Sequence, residues 1–136
     1  MPLQNDASIG DNAVLLRVLH DNWIYRDGER RRPTKQAFMD GNTGEVSCFI
    51  DGPGVREEIR RMFPGREIAA VRAQVVRDSG FVIERRPADC GNFRGAPDSH
   101  VVIGPPVQLR RLECERCAHR IAVHPDVILV ARAPIE

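Results

Sequence analysis

The sequence predicts a single α+β domain over residues 1–136, built on one small mixed β-sheet with three to four helices. Three observations point there. Strand-like alternations and helix-like periodicities follow one another in irregular order, with no repeat and no low-complexity linker. Residues 45–63 read as strand, turn and helix in immediate succession. The 136-residue chain is 42% hydrophobic and 29% charged, enough apolar content for one core.

Taken in order, Ser8 and Asp11 have capping-box spacing. Val14, Leu15, Val18 and Leu19 then recur at helical spacing, predicting a helix over residues 9–20. Trp23, Ile24 and Tyr25 begin a hairpin that turns at Asp27-Gly28 and returns through the charged residues 29–32, a composition suited only to a sheet edge. Pro33-Thr34 opens a short helix to Met39, with Thr34 as N-cap and Gly41 after its end. Asn42, Thr43 and Gly44 form a turn. Val46, Cys48 and Ile50 share one face of a strand over residues 45–50, with Ser47 and Phe49 on the other.

Asp51-Gly-Pro-Gly54 breaks that strand, and residues 55–63 form a helix with Val55, Ile59, Met62 and Phe63 along one stripe. Its acids lie in the first turn and its arginines in the last, as the helix dipole favours. Pro64-Gly65 stops it. Residues 67–73 read as a strand, followed by a helical turn to Ser79 and another strand over residues 81–84. Residues 86–99 hold two prolines, two glycines and two aspartates and read as a loop. His100 to Ile103 is a strand, and residues 107–123 a final helix ended by His124-Pro125.

The charge balance is nearly even, 20 Lys and Arg against 19 Asp and Glu, net +1. That disfavours a nucleic-acid partner, which calls for a basic excess. No apolar run is long enough to span a membrane, and the first residues lack a secretory pattern. The chain is therefore expected in the cytoplasm with reduced thiols. Only Lys35 among its basic residues is lysine, so it is arginine-rich.

Cys114-x-x-Cys117, followed by His119 and His124, has zinc-like ingredients, and Cys90 or His100 would complete a tetrahedral set. On a helical wheel, however, Cys114 and Cys117 fall roughly 60° apart among Ile121 and Ala118, while His119 points away. The reading adopted is buried thiols and no metal or other cofactor. His100 enters a strand from a polar loop beside Asp98, a position for a general acid or base with Asp98 orienting it. Arg32, within Arg30-Arg31-Arg32, offers a guanidinium fork to phosphate, with Thr34 adding a hydroxyl. Arg85-Arg86 and Arg110-Arg111 are further basic doublets that would strengthen such a site if they converge on it. The glycine turn at residues 51–54 lacks the lysine and hydroxyl of a nucleotide-binding loop, and hydrolase and protease signatures are absent.

Arg32-Pro33-Thr34-x-x-Ala37-Phe38, Val46-Ser47, Pro64-Gly65 and Asp98-Ser99-His100-Val101-Val102-Ile103-Gly104 together resemble a family of small uncharacterised bacterial proteins. Their pattern is Arg-Pro-Ser-x-x-x-Phe near the start and Ala-His-x-x-Val-x-Gly near the end. Here Thr34 replaces the serine and Ser99 a small apolar residue. The resemblance implies no catalytic residue, but Arg32, Thr34 and His100 are its shared polar positions.

Two functions follow as expectations. The first is a small cytoplasmic binding or accessory module of a bacterial multi-component system, with a protein partner. The second is a small enzyme or ligand-binding domain for a phosphate-bearing metabolite or nucleotide. In it Arg32 and Thr34 hold the phosphate, and His100 with Asp98 moves the proton.

Overall fold

The computed structural model describes residues 3–28, 30–39, 44–87 and 97–130. Six strands form one sheet in the order β6-β7-β4-β1-β5-β8. They are β1 (Val14–Leu19), β4 (Val46–Ile50), β5 (Glu67–Arg72), β6 (Val82–Arg85), β7 (His100–Gly104) and β8 (Ile128–Leu129). Strands β2 (Ile24–Asp27) and β3 (Arg30–Pro33) make a separate two-stranded ribbon. Among the described residues three α-helices, α1 (Val55–Met62), α2 (Ala73–Asp78) and α3 (Arg111–Ala122), complete the α+β architecture. All pairings in this sheet among the described residues are antiparallel, so the expected mixed sheet is corrected to an antiparallel one.

Two cores lie on the two faces of the sheet. Leu15 and Leu19 of β1, Cys48, Ala69, Val71, Ile83, Val101 and Ile103 pack under α2, α3 and Phe38. Leu16 of β1 joins Phe49, Ile68 and Ala70 on the opposite face, covered by Val55 and Ile59 of α1. Strand β1 is thus apolar on both faces, which erases the period-two signal. Its residues then also match a helical template, and this is why the helix predicted over residues 9–20 is a strand instead. The capping box fails with it, because the Ser8 hydroxyl donates to the Asp6 carboxylate at 2.6 Å. Hydrogen bonds from Ser8 hold the Asp6 carboxyl below its usual pKa range.

Elsewhere local pattern and structure agree more closely. Strand β4, helix α1, and the β5–α2 succession lie where the alternation and stop signals put them. Gly54 at the α1 N-terminus has φ 78°, and Gly65 after its end also has φ 78°, a region that favours glycine. The hairpin forms, but Asp27 pairs with Arg30, so its turn lies one residue later than predicted. In place of the expected short helix, a 3-10 turn, Lys35–Phe38, follows Thr34. Helix α3 starts at Arg111, after Pro105-Pro106 and an extended Arg110, and Val107 stays exposed. Strand β8, after α3, has no counterpart in the sequence prediction. Gly41, Asn42, Thr43, Glu29, Cys90 and most of the loop over residues 86–99 lie outside the described residues.

The segment before β1 runs beside β6. The Asp6 amide donates to the Ile83 carbonyl at 2.7 Å, and the Ile83 amide to the Asn5 side-chain oxygen at 3.3 Å. Among the described residues no helix is long and apolar enough to cross a membrane.

Helix α1 is held chiefly by two buried side chains, Val55 and Ile59, with Ile59 only 1% exposed. Ile59→Ala should therefore cost about 2–5 kcal/mol in urea unfolding. Leu112→Ala, on the exposed face of α3, should stay within about 0.5 kcal/mol of the parent.

Candidate functional site

The arginine ribbon is anchored by one of its three arginines. Glu67 opens β5 opposite Leu19 and is 2% exposed, on the α3 face of the sheet. Arg31 donates to its Oε1 and so ties the ribbon to the sheet. A carboxylate in that position is tolerated because a guanidinium reaches it. Arg31 is therefore structural.

With both its neighbours it also faces a cleft of about 440 Å³, lined by Tyr25, Arg30, Arg31, Arg32, Val123 and His124 among others. Cross-strand pairing sets Arg32 opposite Tyr25, and its guanidinium carbon stands 4.8 Å from the ring centroid. Tyr25 remains 47% exposed. Across the cleft, the Asp126 amide donates to His124 Nδ1 at 3.1 Å. An accepting Nδ1 in a neutral imidazole leaves Nε2 carrying the hydrogen. Among the described residues neither Arg30 nor Arg32 is ion-paired. The end of α3 contributes about half a negative charge nearby, less than the two full positive charges of the arginines.

Thr34 does not join this cleft. Its amide donates to the Trp23 carbonyl at 2.7 Å, and its hydroxyl is buried, away from solvent, with no cap hydrogen bond. The expected cap is not formed, because the Ala37 amide donates to the Thr34 backbone carbonyl at 3.0 Å instead, and the hydroxyl does not line the arginine cleft.

His100 is also remote. It pairs with Phe49 across β7 and β4, and so lies on the α1 face, whereas Arg32 lies on the α3 side. The ribbon packs beside β8, four strand spacings from β7, or roughly 19 Å at the usual separation. His100 is 3% exposed, its ring packs edge-on to Phe49, and its Nδ1 contacts the Arg86 carbonyl at 2.8 Å. Since a carbonyl only accepts, Nδ1 carries the hydrogen and the backbone, not Asp98, orients the ring. Asp98 is exposed, and its carbonyl accepts from Arg85. His100 with Asp98 and Arg32 with Thr34 thus do not form one acid–base pocket. The other basic doublets do not converge on the ribbon either. Arg85 pairs with Asp6, Arg86 with Glu84 and Glu45, and Arg111 with Glu115.

Cys114 and Cys117 are buried on the inner face of α3, while His119 is exposed. Burial raises both thiol pKa values. Among the described residues no three His, Cys, Asp or Glu side chains are grouped to hold a metal ion. At residues 51–54, a cavity of about 550 Å³ is fronted by Asp51, whose carboxylate is bound by Arg56 at 2.8 Å.

Sequence reasoning missed the other wall of the cleft, Tyr25 and His124. It also missed Arg17, which lies inside the apolar run of β1. Arg17 Nε donates to the Ala37 carbonyl at 2.6 Å and Nη1 to the Ser47 carbonyl at 3.2 Å, with its guanidinium carbon 5.0 Å from the Trp23 centroid. In comparisons with protein-family models, curated proteins and solved structures, no match to the chain was found.

Two outcomes test these interactions. Arg31→Ala deprives the buried Glu67 of its guanidinium and should destabilise by about 1–3 kcal/mol, with Glu67→Leu recovering part of the loss in the double variant. Burial raises the Cys48 thiol from 9.0 to about 11. The native state then keeps a proton that the unfolded chain loses between those values, so stability falls as pH rises from 9 to 11. Relative to Cys48→Ala, urea midpoints should show about 2–3 kcal/mol lost across that window.

Proposed function

We propose that the protein is a binding module without acid–base machinery of its own, acting in the cytoplasm as an accessory component of a bacterial multi-component system. Its recognition surface is the cleft between the β2–β3 ribbon and the end of α3, and its ligand carries a phosphate. The observation that supports this reading is the division of labour along β3. Arg31 binds Glu67, which fixes the ribbon, and lines the cleft as well, while Arg30 and Arg32 line it without carboxylate partners among the described residues.

Guanidinium forks match phosphate oxygens in pairs. His124 Nε2–H and the Tyr25 hydroxyl add neutral donors, and the Tyr25 ring adds a flat apolar surface beside them. A phosphate attached to a ring or to a partner's side chain suits this set better than a bare ion. An enzymatic reading is less favoured, because His100 lies on the other face of the sheet from Arg32.

A thermal-shift series against inorganic phosphate, nucleotides and sugar phosphates tests the proposal. A ligand at 100 times its dissociation constant stabilises by about 2.7 kcal/mol, several degrees for a domain of this size. The shift should weaken with added salt and vanish in Arg32→Ala, while Arg30→Ala reduces it. A response that survives Arg32→Ala, or no response to any phosphate compound, overturns the assignment.

A further inference from the structure

Arg17 occupies the middle of β1 between Leu15 and Leu19, both 1% exposed or less. Its partners there are neutral: two backbone carbonyls and an indole ring. Other arginines of the chain, such as Arg31, Arg56 and Arg77, each bind a carboxylate. Among the described residues no carboxylate pairs with Arg17. Arg17 itself is half-buried. A guanidinium stays charged throughout the accessible pH range, and a charge partly withdrawn from water gains from an opposite one.

Beside it lies a cavity of about 480 Å³, walled by Arg17, Trp23, Gln36, Met39, Glu45 and Val46. This is within the size range of small-molecule sites. The carboxylate in the wall, Glu45, lies 3.6 Å from Arg86, which it shares with Glu84. Arg17 spends Nε and one hydrogen of Nη1 on the carbonyls. The second Nη1 hydrogen and both Nη2 hydrogens remain, a geometry that receives the two oxygens of a carboxylate side by side.

We propose that this cavity binds a small organic carboxylate, its oxygens on the Nη1–Nη2 edge of Arg17 and its apolar body against Trp23, Met39 and Val46. The site is separate from the arginine cleft and does not depend on it. Arg17 also ties the turn at Ala37 to β4, so the ligand would tighten a junction already present in the empty protein.

Trp23 is the only tryptophan of the chain, so its fluorescence reports on this cavity. The test titrates the intact protein with benzoate, using benzamide as the uncharged isostere. Benzoate should give a saturable change, with benzamide about ten-fold weaker or more, as expected for loss of a charge-assisted pair. Arg17→Lys keeps the charge but loses the two-pronged edge, and should weaken benzoate by a similar factor. Gln36→Phe, at an exposed position on the wall, narrows the cavity without touching the Arg17 bonds and should also weaken it, with circular dichroism verifying the fold. Absence of saturation by benzoate, an equal response to benzamide, or unchanged benzoate affinity in folded Arg17→Lys or Gln36→Phe overturns the proposal.

Discussion

Strand β1 is enclosed on both faces, and the placement of the functional groups depends on that enclosure. Leu15 and Leu19 face the α3 layer, and Leu16 faces α1. Burying each such side chain contributes about 1.5–3 kcal/mol, so displacing the strand by one residue would forfeit several times the value of any surface ion pair. With β1 fixed, its six pairs with β5 fix Glu67 opposite Leu19. That buried carboxylate then captures Arg31, and Arg31 holds the ribbon that carries Arg30 and Arg32. The same strand carries Arg17 into the α3 layer. One packing constraint therefore positions both groups of cations.

The enclosure also explains which parts of the fold were legible in the chain. Helix α1 announces itself through one apolar stripe, acids first and arginines last, between glycine turns. Strand β4 alternates because its residues divide cleanly between two faces. In β1 the alternation disappears, leaving Val14, Leu15, Val18 and Leu19 to imitate a helix. Leu16, between them and off the supposed stripe, is the residue that argues for a strand. The direction of strand pairing is set by contacts between distant segments such as β7 and β4, so no local pattern distinguishes an antiparallel sheet from a mixed one. Strand β8 consists of two residues and has too little length for any periodicity.

The candidate sites were legible only in part, for related reasons. Three consecutive arginines mark a basic ribbon, but nothing near them in sequence says that the middle one belongs to Glu67. The second wall of the cleft comes from the turn after α3, far along the chain. His100 stands at a loop–strand boundary, and which face it takes follows from the register against Phe49. Arg17 did carry a signal of its own: a lone charge among leucines in an apolar run. The pairing of β1 puts that charge on the α3 face, half-buried, with its guanidinium on the Ala37 and Ser47 carbonyls.

The contacts between the N-terminal segment and β6 have a consequence for association. Strand β6 is terminal in the sheet, and Ile83 directs both its amide and its carbonyl outward, to Asn5 and Asp6. Unshielded, those groups are a template on which a strand of another molecule can add. The chain covers them with a segment held by the buried side chains of Leu3 and Ile9, the latter part of the main core, and by Arg77 and Arg85 on Asn5 and Asp6. Peeling this segment away by proteolysis or by traction on the N-terminus would cost the burial of Leu3 and Ile9 and open a route to intermolecular strand pairing. Resistance to aggregation in this protein therefore depends on the tethering of a few residues outside every helix and strand.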